Sequence, residues 1–275
     1  MEFIDLNLAR KFELTEARIG ESLVHSMQQR MPQAGTASTH VAGGIATFTG
    51  IDSPISQIIG AGLDPDTPES ELDRLEDFFR NRGASAILEL SSFAAPSFVE
   101  MLNRRGYTVV EFSHVLCRKC ERSDKFPPAS GEISIRELAA ELRPDEARLY
   151  THVVSTGFAE SLPITQDLLD VVEGFSHDPL GRCFLASVCN EPAGGGAAAL
   201  FEGIGSLGGA SVLPQFRRRG IHAALMAARM KWLASQDCEW FLSVAHPGSV
   251  SHRNMERFGF RLAYARMKVI RTWTK

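Results

Sequence analysis

The chain repeats one pattern of elements, once in each half. Residues 83–120 and residues 237–271 each read as an apolar strand, a turn with proline, a short amphipathic helix and a final alternating strand. Each helix ends at a glycine followed by an aromatic residue, in RRGY and RFGF, and glycine suits the C-terminal cap of a helix. A further amphipathic helix precedes the first strand of each copy. The repeat predicts two similar units of roughly 130 residues each.

A polar segment with two prolines and a glycine, residues 121–131, has the composition of a linker. We therefore predict a first domain over residues 1–120 and a second over residues 132–275. The second domain reads as strand, two helices, three strands, helix, strand, helix and strand, and its first strand is expected at a sheet edge. This order predicts an α/β fold of the α+β kind, in which helices cover a mixed sheet.

The composition excludes several classes of protein. With 44% hydrophobic residues, most of the chain can bury enough apolar surface to fold. No run approaches the roughly 18 apolar residues that a membrane span needs. The first residues include Glu2 and Asp5 and have no apolar block after a basic head, so they are not predicted to be a signal peptide. A net charge of −4 argues against a general nucleic-acid or membrane-surface binder.

The five cysteines predict ordinary thiols and no metal site. Cys117 and Cys120 have the spacing of a CxxC motif, but they end a β-like run and do not open a helix. No second cysteine pair or histidine cluster lies at zinc-site spacing. This use of cysteine predicts a cytoplasmic, reducing compartment.

One literal match to a dinucleotide motif lies in the wrong context. Residues 203–208 fit GxGxxG, which binds a pyrophosphate only where it follows a strand and opens a helix. Here the motif leads into a further strand that ends at Pro214, so dinucleotide binding is disfavoured.

The next segment has the context that an anion site requires. Residues 212–225 run from a strand, through a basic loop with Arg217, Arg218 and Arg219, into a helix. A helix N-terminus offers unpaired N–H groups and a partial positive charge, and Gly220 allows close backbone approach. The order favours anion binding. The alternative is a solvated basic turn, which is the usual role of three consecutive arginines.

This segment resembles the acetyl-CoA motif of the GNAT (GCN5-related) N-acetyltransferases, which has the form V-x-P-x-Y/F-Q/R-x-x-G-x-G/A between the fourth strand and the third helix. The matching residues are Val212, Pro214, Phe216, Arg217 and Gly220. His222 stands where the family usually has glycine or alanine. The resemblance implies that acetyl-CoA is held by Val212, Leu213, Arg217, Arg218, Arg219, Gly220, Ile221, His222 and Ala223.

A second family motif also has a counterpart. Asn254 matches the family asparagine near the coenzyme, and Gly259 and Phe260 match its helix-ending pair. The resemblance covers residues 132–275 well and extends more weakly, through the repeat, over residues 1–120. Where the second half has its arginines, the first half has acids in IGAGLDPDTPE, which would repel a pyrophosphate. The chain therefore resembles a tandem GNAT protein with a degenerate N-terminal half.

Candidates for proton transfer are few. The acceptor amine must lose a proton and the leaving thiolate must gain one. The family often supplies the acid from a tyrosine where this chain has Met255, so Tyr264 on the last strand is only a remote substitute. Glu202, just before the fourth strand, and His246, at the end of the fifth, are the candidate bases. Each also fits an ordinary role, Glu202 as a solvated turn carboxylate and His246 as a polar turn residue.

The resemblance implies an acetyl-CoA-dependent N-acetyltransferase that acts by direct attack of an amine, on a small molecule or a peptide. Backbone N–H groups near Val212 and Leu213 would polarise the thioester carbonyl. The acceptor is expected around residues 158–164, which carry no cluster of acids. The alternative is a non-catalytic acyl-CoA-binding or sensing protein. Nucleic-acid binding through the three arginines is disfavoured by the net charge.

Overall fold

The computed structural model describes residues 3–51, 53–129, 131–139, 143–159 and 163–273. The helices in this part are α1 (Leu6–Arg30), α2 (Glu69–Arg80), α3 (Pro96–Arg104), α4 (Pro144–Phe158), α5 (Gln166–Phe175), α6 (Ile221–Ala234) and α7 (Val250–Arg257). The strands are β1 (Ala37–Val41), β2 (Gly44–Phe48), β3 (Ile58–Ile59), β4 (Ala86–Ser91), β5 (Thr108–Lys119), β6 (Ile133–Glu137), β7 (Gly181–Val188), β8 (Glu191–Phe201), β9 (Ile204–Val212), β10 (Trp240–Ala245) and β11 (Arg261–Arg271).

The chain folds into two compact units. The first consists of Met1–Cys117 and Val244–Lys275, and the second is Arg118–Ser243. The end of the second sequence repeat thus lies in the first spatial unit. This spatial division is a different property from the domains predicted from the repeat, residues 1–120 and 132–275, which stay a prediction.

In the first unit the last strand of the chain lies between two strands of the first half. The strand order there is β1, β2, β3, β4, β11 and β5. β11 is antiparallel to both neighbours, with Val269 opposite Leu88 of β4 and Arg266 opposite Ser113 of β5. α2 and α3 contribute Leu72, Leu75, Phe79 and Phe98 to the core on one face of this sheet. The first unit therefore depends on residues from both ends of the chain.

A buried ionic cluster ties β11 to α1. Arg266 Nε lies 2.8 Å from Glu13 Oε1, and the same guanidinium contacts Glu16. Arg266 and Glu13 are both almost fully buried. Burial raises the pKa of Glu16, although the charge of Arg266 acts in the opposite direction. Removing one partner of such a pair leaves a buried charge uncompensated.

In the second unit the strand order is β10, β9, β8, β7 and β6, with β6 at the edge as predicted. α4 and α6 lie on opposite faces of β8. A Cβ atom at Gly195 would lie 2.8 Å from Val154 of α4, and one at Gly196 would lie 3.3 Å from the Arg229 guanidinium carbon of α6. The glycines of β8 therefore allow both helices to pack closely on the sheet.

The order of elements predicted for the second half is confirmed from β6 to β11. The GxGxxG match at residues 203–208 occupies a turn and the first part of β9, so it does not open a helix. The five cysteines are all free thiols.

Candidate functional site

The edge of β9 that faces β10 becomes open part-way along the strand. The two strands are parallel and pair over Ile204–Ser206 and Trp240–Leu242. β9 continues to Val212 beyond this paired stretch. Backbone groups on that side of β9 beyond Ser206 therefore have no ladder partner from these residues of β10. An extended ligand can bind such an edge through main-chain hydrogen bonds.

Two backbone N–H groups at the end of β9, those of Val212 and Leu213, are predicted to polarise the thioester carbonyl. Only the Val212 N–H faces the open edge of β9. The Leu213 N–H donates to Ala193 O of β8 at 2.9 Å. Val212 is opposite Gly194 in the same register. Because hydrogen-bonded and non-hydrogen-bonded pairs alternate in an antiparallel ladder, the Val212 N–H points away from β8. The prediction that Leu213 polarises a carbonyl is therefore wrong, since its N–H group is already bound.

The N-terminus of α6, which follows the basic loop, is the predicted anion site. Gly220 occupies the N-cap with a φ of 85°, and no side chain there accepts from the first turn. No side-chain cap therefore competes with an external acceptor for the N–H groups of Ile221 and Ala223. An added Cβ at Gly220 would meet nothing within 4 Å, so a ligand can approach the backbone closely.

The three arginines of the loop have different environments. Arg217 donates from Nε to Val212 O at 3.1 Å and from Nη2 to Gly157 O at 3.2 Å, which ties the end of β9 to the end of α4. Arg219 Nη2 lies 3.2 Å from Glu132. Arg218 has a φ of 61° and an exposed side chain. Arg217 thus positions the loop, and the other two place positive charge at its surface.

His222 does not add charge to the site. Burial, and secondarily the charge of Arg229, lower the pKa of His222 to about 4. The imidazole is therefore neutral near pH 7. The ring is bulkier than the glycine or alanine that the family pattern has at this position.

Glu202 is not close to this end of the sheet. It lies in the turn between β8 and β9, whereas the basic loop follows the other end of β9. Val212 lies eight residues after Ile204, which corresponds to about 26 Å along a strand. That Glu202 is the general base stays a prediction, which its distance from Val212 disfavours if the thioester is held there.

Three predicted site residues belong to the first unit. His246 is 64% exposed, and its Nδ1 lies 3.9 Å from Glu111 Oε1. Asn254 lies on α7, next to the buried Met255. Tyr264 is buried on β11 and packs edge-on against the Phe93 ring at 5.5 Å.

The burial of Tyr264 disfavours its predicted role as a proton donor to the leaving thiolate. Burial, together with the nearby Glu13, raises the pKa of Tyr264 well above its usual value. A phenol in this interior position keeps its proton and is enclosed by the protein. That Tyr264 acts as the acid stays a prediction, which its burial disfavours. Another sequence expectation, the acceptor segment at 158–164, includes residues 160–162, which lie outside the described residues.

The sequence reasoning missed Arg229. It lies on α6 and is 1% exposed, and it donates to backbone oxygens of both β8 and β9. The available signal was an arginine between apolar residues of α6, IHAALMAARMKWLA, where Lys231 is the other charged residue.

Within the described residues, no group of three or more His, Cys, Asp or Glu side chains could hold a metal ion. Among the helices described, none is both long and apolar enough to cross a bilayer.

Comparison with known families decides what kind of domain carries this site. The model of the acetyltransferase (GNAT) family matches residues 141–260, which include β9, the basic loop and α6. Residues 141–260 are thus similar to a GNAT acetyltransferase domain. Enzymes of the GNAT family use acetyl-CoA as a co-substrate, and their fold supports acetyl transfer from it.

Solved structures show that the likeness in fold extends over nearly the whole chain. A GCN5-related N-acetyltransferase from Kribbella flavida has a TM-score of 0.64 at 15% identity, and the match covers 94% of this chain and 96% of that one. A tandem GNAT protein from the clavulanic acid biosynthesis pathway has a TM-score of 0.64 at 11% identity, with 98% and 96% covered. A GCN5-related N-acetyltransferase from Sphaerobacter thermophilus has a TM-score of 0.57 at 16% identity, with 74% and 66% covered. Among curated protein sequences, none matches the chain. The fold is thus the tandem GNAT fold.

Proposed function

We propose that the second unit binds acetyl-CoA and transfers the acetyl group to an amine by direct attack on the thioester. The observation that carries the proposal is the junction of β9 and α6. There an open strand edge leads directly to a helix N-terminus without a side-chain cap. An extended pantetheine arm and a pyrophosphate require these two features in this order.

The pyrophosphate would bind the first turn of α6. Its oxygens would accept from the N–H groups that follow Gly220, and the helix dipole would favour their negative charge. Arg218 and Arg219 would add attraction, which at exposed positions is worth no more than about 1 kcal/mol each. The backbone therefore carries most of the expected binding energy.

The thioester would lie along the β9 edge, with its carbonyl oxygen accepting from the Val212 N–H. As the amine nitrogen bonds to the carbonyl carbon, negative charge develops on that oxygen, and a fixed donor stabilises it. The tetrahedral intermediate then expels the CoA thiolate. The amine proton passes to a base or to water, and the thiolate takes a proton from solvent.

The first half is proposed to bind no coenzyme. The helix that corresponds to α6 there is α2, and its first turn carries Glu69 and Glu71. Glu71 Oε2 already accepts from the Ala42 N–H at 2.7 Å, and this bond lowers the pKa of Glu71. Negative charge is thus fixed at the start of α2, whereas the first turn of α6 carries no acidic residue.

A second candidate function is a non-catalytic acyl-CoA-binding module. It is favoured by the loss of acid–base groups, because Met255 cannot titrate, Tyr264 is enclosed and Glu202 lies at the far end of β9. Both functions predict coenzyme binding, so turnover must separate them. Thiol release from acetyl-CoA should be measured with a panel of small amines and peptide N-termini. Release with at least one acceptor supports the enzyme, whereas binding with no release on any acceptor supports the module.

A further inference from the structure

The ladder between β8 and β9 is irregular at one point. On one side of it, Ala197 lies opposite Gly208, and on the other side Gly195 lies opposite Ser211. β9 therefore has two residues, 209–210, where β8 has only one. A bulge of this kind shifts the register by one residue and bends the strand.

The shift decides which backbone groups of β9 face outward. A one-residue change of register exchanges the groups that bond to the partner strand with those that do not. Beyond the bulge, the Leu213 N–H bonds to Ala193 of β8, and the Val212 N–H faces the open edge. Without the extra residue, the two N–H groups would exchange roles.

Arg229 joins the two strands next to this bulge. Its Nη1 donates to Ala197 O at 3.1 Å and to Gly208 O at 3.2 Å, and these two residues are the last pair before the register changes. Its Nε donates to Leu225 O within α6 at 3.2 Å. One guanidinium thus links α6, β8 and β9.

A buried arginine at this place is costly. Burial lowers the pKa of Arg229 to about 10, which reflects the loss of solvation around its charge. The salt bridges found among the described residues include none to Arg229. An apolar side chain of similar length would fill the same volume without that cost.

We propose that Arg229 is a positioning residue, which holds the β9 register that turns the Val212 N–H toward the acetyl thioester. The inference rests on the proposed function for its consequence in catalysis. The register itself can be tested without coenzyme.

The test compares three variants of the full chain. Arg229→Met keeps the approximate side-chain volume and removes the hydrogen bonds to Ala197 O and Gly208 O. Arg229→Lys keeps the positive charge, but its single amino group has fewer ways to bond to both oxygens. Met230→Ala is the matched control, because Met230 is fully buried on the same helix and makes no polar contact with the bulge. Unfolding in denaturant first gives the overall stability of each variant.

The first readout is amide hydrogen exchange. In Arg229→Met the Leu213 amide should exchange at least about tenfold faster than expected from the change in overall stability, because its partner in β8 is no longer held in register. In Met230→Ala the amides of β8 and β9 should accelerate together, by the amount that overall stability predicts. Arg229→Lys should give an intermediate rate, and it serves as the test if Arg229→Met does not fold.

The second readout is the infrared carbonyl stretch of bound acetyl-CoA labelled with ¹³C at the acetyl carbonyl. A hydrogen bond from Val212 lowers this frequency, so the wild type and Met230→Ala should show the shift and Arg229→Met should lose it. The dissociation constant should change by less than about threefold, since the pyrophosphate contacts at α6 remain.

The outcomes separate the two claims. Faster Leu213 exchange and loss of the carbonyl shift in Arg229→Met support the inference. A folded Arg229→Met with wild-type exchange at Leu213 overturns it, whatever the coenzyme does. If exchange changes as expected but the wild-type protein does not bind acetyl-CoA, the role of Arg229 in the register is supported and the proposed function is refuted.

Discussion

Substitution of Gly220 by glutamate tests the anion site at the residue where the backbone must be accessible to a ligand. A Cβ at Gly220 would meet no atom within 4 Å, so the variant introduces no clash in the folded protein. The φ of 85° costs a non-glycine residue about 1–2 kcal/mol. An acidic group at a helix N-terminus stabilises the helix by about 0.3–1 kcal/mol. Folding should therefore change by no more than about 2 kcal/mol.

The effect on acetyl-CoA binding should be much larger. The new carboxylate would occupy the space of the pyrophosphate, and two like charges about 4 Å apart repel by roughly 4 kcal/mol at an effective dielectric constant of 20. Allowing for partial screening by the arginines, the dissociation constant should rise at least about 100-fold, which corresponds to about 2.8 kcal/mol. Isothermal titration calorimetry measures this directly.

Two further variants make the test specific. Gly220→Asn is the matched neutral control, because asparagine tolerates the left-handed conformation, and it should weaken binding much less than glutamate. Arg219→Ala removes one charge from a side chain that is 44% exposed and should cost less than about 1 kcal/mol of binding energy. A folded Gly220→Glu variant with the wild-type dissociation constant would refute the assignment of the loop.

Three other predictions follow from contacts of single side chains. Arg217→Ala should weaken acetyl-CoA binding more than Arg218→Ala in calorimetry, because Arg217 holds two backbone carbonyls beside the site; equal losses would show that charge alone matters. Arg266→Met should lower the free energy of unfolding by about 3–5 kcal/mol in urea, since two buried glutamates lose their partner, and a loss below about 1 kcal/mol would contradict this. The pKa of His222 in the folded protein, about 4, lies below its ordinary value of about 6.5. The unfolded chain therefore takes up a proton on His222 first as the pH falls, and the free energy of unfolding decreases by at most about 3 kcal/mol between pH 6.5 and pH 4. His222→Gln should therefore reduce the loss of stability between pH 7 and pH 5, and an unchanged pH profile would argue against a buried neutral ring.

Local patterns predicted much of this molecule. The strand, basic loop and helix around Gly220 were readable because periodicity and the glycine mark the change of element directly. The features that the sequence did not reveal depend on residues that are far apart in the chain. The distance of Glu202 from the site follows from the full length of β9, and the bound Leu213 N–H follows from a bulge that the glycine-rich sequence did not locate. The pairing of β11 with β4 could not be predicted either, because the pairing of strands that are far apart in the chain has no local sequence pattern.

The central claim is that one half of this chain binds acetyl-CoA at the junction of β9 and α6. Calorimetric titration of the intact protein with acetyl-CoA tests it, since the first turn of α2 carries Glu69 and Glu71 and the first turn of α6 carries no acidic residue. We expect saturation at a single site per chain and the loss of that site in Gly220→Glu. Two equal sites per chain, or no binding at all, would contradict it.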